Sequence, residues 1–234
     1  MDFVNANTDL VNMGDVGTAT NNISVCAWIN VTSTISGGQN AAVSKMYALV
    51  EPFWIFELGY RFNAGAEVDK GYITIGGTSG GYNDEGNTWR TTSTPLSLGR
   101  WYHLCGTWAT GEIPNIYLNG VLDNGSAGNP AANGPLETFA TNVNIGFNEI
   151  LNVYSDMKIA YVHVFSRTLS ANEVTQEMRW PESVGRSSYY YIPLREKSSA
   201  SQISDMSGAG NHGTNDGADE SSDSPPVTFP GGPL

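Results

Sequence analysis

Residues 101–122 constrain the fold of this chain more than any other stretch. The run Trp101-Tyr102-His103-Leu104-Cys105-Gly106-Thr107-Trp108 has strand composition, and Ile116-Tyr117-Leu118-Asn119-Gly120-Val121-Leu122 follows it closely. Asn-Gly supplies the two positive φ angles that a two-residue type I′ turn demands, so Ile116–Leu118 is expected to fold back on Val121-Leu122. Further strands are expected at Thr8–Met13, Ile23–Val31, Ala42–Met46, Trp54–Phe62, Gly71–Ile75, Val143–Phe147 and Met157–Phe165. Strands at this density, with turn signals between them, describe an all-β chain folded as a two-sheet antiparallel sandwich. One short helix interrupts the pattern. Ser170 caps it, Glu173 completes a capping box, and Ala171–Met178 runs helical until Pro181 stops it.

The 234 residues suit one large β domain, placed at 1–197. From 198 to 234 Gly, Ser, Asp and Pro dominate, and this segment reads as an extended tail that closes the domain or docks on a neighbour. Acids outnumber bases 23 to 11, for a net charge of −12. A field of that sign repels phosphate backbones, so nucleic acid is not an expected partner. No apolar run approaches the roughly 18 residues that span a bilayer, and Met1-Asp2-Phe3-Val4-Asn5 lacks a signal-peptide pattern, so no membrane role and no classical secretion are expected. Cys26 and Cys105 fall in expected strands and read as two buried free thiols.

These segments resemble the laminin-G-like branch of the concanavalin A-like lectin/glucanase jelly rolls. Val25-Cys26-Ala27-Trp28-Ile29 resembles the family's core strand. Trp101, His103 and Thr107 with Tyr117-Leu118-Asn119-Gly120 resemble its central signature, and Ser166-Arg167-Thr168-Leu169-Ser170 its closing turn. The resemblance covers roughly residues 1–180 and implies a concanavalin A-like jelly roll. The chain departs from the family where Ala160-Tyr161 stands in place of an acidic pair and Met157 in place of a glycine. The run Tyr191–Leu194 and then Asp205-Met206-Ser207-Gly208-Ala209-Gly210-Asn211-His212-Gly213-Thr214 looks like what usually precedes the first strand of such domains, yet here it comes last. It implies either a permuted closure beside the N-terminus or a contact with a neighbouring subunit, for which Asp205, Asn211, His212 and Phe229 are the candidate residues.

Candidate chemistry is sparse. Glu67-Val68-Asp69-Lys70-Gly71 approaches the alternating acids of the superfamily's glycosidases, but Gly71 occupies the third acid position, so a solvated turn is expected and no catalytic residue is assigned. Tyr82-Asn83-Asp84-Glu85-Gly86-Asn87-Thr88-Trp89 resembles the Asp-box of sialidases, chiefly a turn device; Tyr82, Asp84 and Trp89 are the candidate ligand-binding residues. His103, His163 and His212 are isolated in sequence and read as hydrogen-bonded structural residues, so no metal site is assigned. Ca²⁺ is the one cofactor the resemblance leaves open, through Asp84, Glu85, Asp123 or Asp156. Trp28, Trp101 and Trp108 read as core, and Trp54 and Trp89 lie nearer loops.

The leading expectation is a non-catalytic structural or binding module acting through protein–protein contacts. The expected setting is a virion surface or capsid-decorating protein of a bacteriophage, in many copies or as a homo-oligomer beside other capsid subunits. The alternative is a carbohydrate-binding lectin or adhesin at a cell surface or outside the cell, and a glycoside hydrolase ranks last.

Overall fold

The structure is a computed structural model, and it describes residues 1–15, 17, 20–34, 38–47, 54–62, 69–76, 87–128, 134–183, 188–196 and 200–227. In chain order the strands are β1 (Asp2–Phe3), β2 (Leu10–Asn12), β3 (Asn22–Val31), β4 (Gln39–Met46), β5 (Trp54–Arg61), β6 (Lys70–Gly76), β7 (Asn87–Thr92), β8 (Trp101–Ala109), β9 (Asn115–Leu118), β10 (Val121–Leu122) and β11 (Asn124–Gly128). After them come β12 (Val143–Ile145), β13 (Phe147–Asn148), β14 (Val153–Tyr154), β15 (Met157–Phe165), helix α1 (Ala171–Arg179), β16 (Ser188–Ile192), β17 (Gln202–Ile203) and β18 (Gly213–Asp216).

Two antiparallel sheets face each other as a sandwich. Sheet A runs β1-β15-β3-β8-β9-β10, and β16 shares the β1 side of β15 at its other end. Sheet B has nine strands, ordered β11-β7-β6-β5-β4-β12-β2-β18-β17. Alternation along β3 shows why the layers form. Ile23, Val25, Ala27, Ile29 and Val31 enter the core between the sheets, while Cys26 and Trp28 turn to the outer face of sheet A. The layers pack tightly at Gly106, where a Cβ would stand 2.0 Å from Ile73 Cδ1 of the facing sheet.

The expected hairpin is present, with β9 and β10 joined by Asn119 at φ 51° and Gly120 at φ 78°. Asn119 also ties the turn to β8, because its Oδ1 accepts the His103 amide at 3.0 Å. An added Cβ at Gly120 would meet Met178 Sδ and Thr175 Cα of α1, both at 3.3 Å. Gly120→Ala is therefore expected to lower stability by about 1–2 kcal/mol through backbone strain and crowding, read as a lower urea midpoint with an unchanged m-value. Helix α1 begins as the capping box predicts: Ser170 Oγ accepts the Glu173 amide at 3.4 Å, and Glu173 Oε2 accepts the Ser170 amide at 2.8 Å.

Three features differ from the sequence reading. Cys26 and Cys105 are not free thiols but a disulfide. Beta3 and β8 pair antiparallel with these two residues directly opposite, their Cα atoms 4.0 Å apart, so both sulfurs lie on the outer face of sheet A beneath α1. Trp89 is not in a loop but in the middle of β7, paired with Thr74. Residues 124–128, outside the expected strands, form edge strand β11. At the departure noted in the closing strand, Ala160-Tyr161, the register of β15 against β3 shifts in a bulge, and Tyr161 takes φ 52°.

The segment after residue 200 returns to the N-terminus. Beta18 pairs with β2, β17 pairs with β18, and Asp2 bridges to Asp219. Asp223 then reaches sheet A, accepting from Asn30 Nδ2 and Lys158 Nζ, both at 3.2 Å. Asp205 organises the turn before β18. Its Oδ1 accepts the amides of Tyr191 (3.0 Å) and Ser207 (2.9 Å), and its Oδ2 accepts Ser207 Oγ (2.8 Å) and the Asn211 amide (3.0 Å). Burial would raise this carboxyl's pKa, but those donors outweigh it and hold it below its usual value. Asp205→Ala is expected to cost about 2–3 kcal/mol by orphaning several buried donors. The sign of it would be faster hydrogen exchange at the Tyr191 and Asn211 amides.

Candidate functional site

Sheet B carries a polar row on its outer face, exposed towards its ends and buried at Thr74, Glu57, Ser44 and Asn144 in the middle. Cross-strand register aligns Trp89, Thr74, Glu57, Ser44, Asn144, Asn12, Thr214 and Gln202 across eight strands, from β7 to β17. Strand partners directly opposite share a face, so these side chains form one band without an aliphatic member.

At one end the band is aromatic and cationic. Arg61 lies over the rings of Tyr72 and Trp89, its guanidinium carbon 5.2 and 5.5 Å from their centroids. Trp89 is half-buried, and its indole rests on Gly128 of β11, where a Cβ would come within 2.0 Å of Nε1. Any side chain at Gly128 must move the indole. In the middle, the β13–β14 ribbon is clasped onto β4. Ser44 Oγ donates to the Phe147 carbonyl (2.7 Å), Ser155 Oγ to the Ala41 carbonyl (2.8 Å), and Asn40 Oδ1 accepts the Asp156 amide (2.9 Å). The ribbon carries Asn148, whose Nδ2 donates to Glu57 Oε1 at 2.7 Å, both residues being fully buried. Burial first, and the charge of Glu57 second, hold the Tyr72 phenol well above its usual pKa.

At the other end lies an open groove of about 720 Å³ lined by Leu10, Asn12, Asn142, His212, Thr214 and Asp216. Its volume falls within the roughly 300–1,000 Å³ of small-ligand sites. Amide, hydroxyl and carboxylate groups converge there from β2, β18 and the turn before β12.

A second constellation lies on the opposite side of the molecule, between α1 and sheet A. Val174 and Glu177, three residues apart, put a carboxylate on the packed face of the helix. Glu177 Oε2 stands 3.3 Å from His103 Nε2 of β8, and Oε1 stands 3.4 Å from His163 Nδ1 of β15. All three residues are buried. Burial would raise the Glu177 pKa, but the bonds and charges of His103 and His163 overcome it and bring it down to about 2. Sequence spacing separates these residues by 60 and 14 positions, and only the helix-on-sheet packing joins them. The one signal for Glu177 was its place on the apolar stripe of α1.

The other singled-out residues fall as follows. Tyr82, Asp84, Glu85 and Phe229 lie outside the described residues, as do Glu67 and Val68. Asp69 accepts the Tyr60 hydroxyl and sits at φ 59°, a turn position. Asp123 accepts from the Thr94 amide (3.0 Å) and hydroxyl (3.2 Å), and Asp156 accepts Ser33 Oγ (2.8 Å). Among the described residues no three His, Cys, Asp or Glu side chains are arranged to hold a metal ion. Asp205 is buried in its turn, Asn211 Nδ2 donates to the Tyr189 carbonyl (2.9 Å), and His212 is exposed, its Nδ1 accepting the Asp205 amide (3.1 Å). Of the candidates, the structure therefore places Trp89 and His212 on the same sheet face, at opposite ends of one polar band.

The chain belongs to the Laminin_G_3 family of the concanavalin A-like lectin/glucanases superfamily, whose profile matches residues 5–175. Among solved structures it is similar to a Bacteroides ovatus protein described as a candidate carbohydrate-binding protein, with TM-score 0.66 and 19% identity. The match covers 92% of this chain and 57% of that one, so this chain spans little more than half of that relative. It is also similar to a heptameric SAP-like pentraxin of Limulus polyphemus, with TM-score 0.54 and 15% identity over 73% of this chain and 75% of the other. No match to a curated protein was found.

Proposed function

We propose that this chain is a non-catalytic carbohydrate-binding module that holds a glycan on the outer face of sheet B, in the open groove at its β2–β18 end. The observation that carries this reading is the polar row that ends in the groove of about 720 Å³, with Trp89 and Arg61 at its far end. Neutral sugars are bound by aromatic faces and by convergent hydroxyl, amide and carboxylate groups, and both kinds of group stand on this face. Glu57, the carboxylate of the row, supports binding over hydrolysis. It is fully buried and bonded to Asn148, whereas glycosidases set two carboxyl groups about 5–10 Å apart on either side of the scissile bond. The carbohydrate-binding description of the Bacteroides ovatus relative accords with this reading.

A glycan array probed with the intact chain tests it. Selective binding that weakens at least roughly tenfold in a His212→Ala/Asp216→Ala variant of unchanged thermal stability supports the proposal. Absence of any selective glycan signal overturns it.

A second reading, multi-copy assembly on a virion or another particle, draws support from a different surface. Val121 (69% exposed) and Leu122 (52% exposed) lie on β10, the edge strand of sheet A, and an apolar edge is a surface for pairing with another chain. In the closing segment, β17 pairs with β18 and β18 with β2. Sedimentation of the intact protein and of a Val121→Lys/Leu122→Lys variant tests this reading. A defined oligomer that the variant dissolves favours assembly, and a monomer in both contradicts it.

A further inference from the structure

We infer that the back of sheet A carries a second ligand site, a groove of about 230 Å³ beside α1 that takes a single neutral sugar ring. It extends the carbohydrate reading to a new place and stands on other residues, so either site can fail alone. The groove is lined by His163, Pro181, Glu182, Ser188, Tyr191, Met206 and Ser207. Its floor is built of polar atoms that have no hydrogen-bond partner among the described residues. His163 is 3% exposed and Tyr191 5% exposed, yet His163 Nε2, the Tyr191 hydroxyl and the Ser188 hydroxyl are each buried and unbonded. Buried polar atoms are normally satisfied, so several around one small opening mark a place where something else completes them.

The geometry defines what that is. His163 Nδ1 faces Glu177 Oε1 at 3.4 Å, and the second oxygen of that carboxylate faces His103 at 3.3 Å. The carboxylate lies between the two imidazoles as a close charge contact on the Nδ1 side of His163, so Glu177 orients the ring, and Nε2 on its other side has no partner among the described residues. Stacking of the ring on Phe165 (3.8 Å between centroids) and a tilted contact with Tyr191 (4.8 Å) fix its plane. Each floor group can either donate or accept: Nε2 according to its protonation, and the two hydroxyls by rotation. Ligand hydroxyls also do both, and match them in either state. An anion is disfavoured by the net charge of −12, since the rim carboxylate of Glu182 and its Arg195 partner at 3.1 Å offset each other. A large ligand is disfavoured by the volume, below the roughly 300 Å³ of ordinary small-molecule sites. Pro181 and the 60%-exposed Met206 supply the apolar wall against which the C–H face of a pyranose packs.

The test is an NMR titration of the full chain with methyl α-glucopyranoside, methyl β-galactopyranoside and methyl α-mannopyranoside, read at the His163 imidazole. Saturable movement of the His163 resonances with at least one probe is expected. The apparent Kd should rise roughly tenfold in Tyr191→Phe, which removes one hydroxyl and keeps the ring. It should rise at least as much in Met206→Trp, an exposed change that fills the groove without entering the core. Trp89→Ala, on the opposite face, should leave it unchanged. If no probe moves His163, or if the movement survives both groove variants, the site does not exist. If His163 responds while the sheet B variants leave array binding intact, this site stands and the reading of sheet B falls.

Discussion

Glu177→Ala is expected to cost about 3–5 kcal/mol of folding stability, the largest effect of any single substitution considered for this chain. The carboxylate is fully buried and meets two buried imidazoles at 3.3 and 3.4 Å. Truncation would leave both rings without their acceptor and open a cavity under α1. The pH dependence has a definite sign. The folded pKa of Glu177 is depressed from 4.5 to about 2, so its contribution is complete above about 4.5 and is lost as pH falls towards 2. That difference corresponds to about 3 kcal/mol. Urea unfolding of wild type and Glu177→Gln between pH 7 and 2.5 checks it. Wild type should lose stability on acidification more steeply than the variant, and parallel curves would show that the His–Glu–His contact does not hold the carboxyl down.

The second large effect concerns the disulfide. Cys26 and Cys105 are separated by 79 residues, and closing a loop of that length restricts the unfolded chain by on the order of 4 kcal/mol. A Cys26→Ala/Cys105→Ala variant is expected to lose about 2–5 kcal/mol, and reductant should destabilise wild type by a similar amount while leaving the variant unaffected. Equal midpoints for wild type and variant, with and without reductant, would contradict a bond between these residues.

What the sequence disclosed follows from the range of the interactions involved. The Asn119-Gly120 turn and the Ser170–Glu173 capping box were legible because each is specified within four residues by positive φ or by a side chain returning to the backbone. The strand at Ile23–Val31 was legible for the same local reason. The disulfide was not, because it depends on β3 and β8 being neighbours in a register that places residue 26 opposite residue 105. Beta18 was hidden as well. Gly213–Asp216 has no strand composition, and its extended form comes from backbone pairing to β2. The candidate site was legible only in fragments. Trp89 was singled out for a turn motif but works from the middle of a strand, and His212 for a contact motif but stands in a groove. Asn12, Ser44, Glu57 and Asn144 gave no signal, since a polar row across sheet B exists only once eight strands are in register.

The most direct test of the central claim is chemical-shift mapping of the intact protein against the strongest glycan from the array. Binding along the outer face of sheet B predicts that amide shifts concentrate in β2, β18 and the 142–144 and 212–216 segments, with the Trp89 indole moving for longer oligosaccharides. Shifts confined to the β9–β10 edge, or no saturable shifts on sheet B, would contradict it.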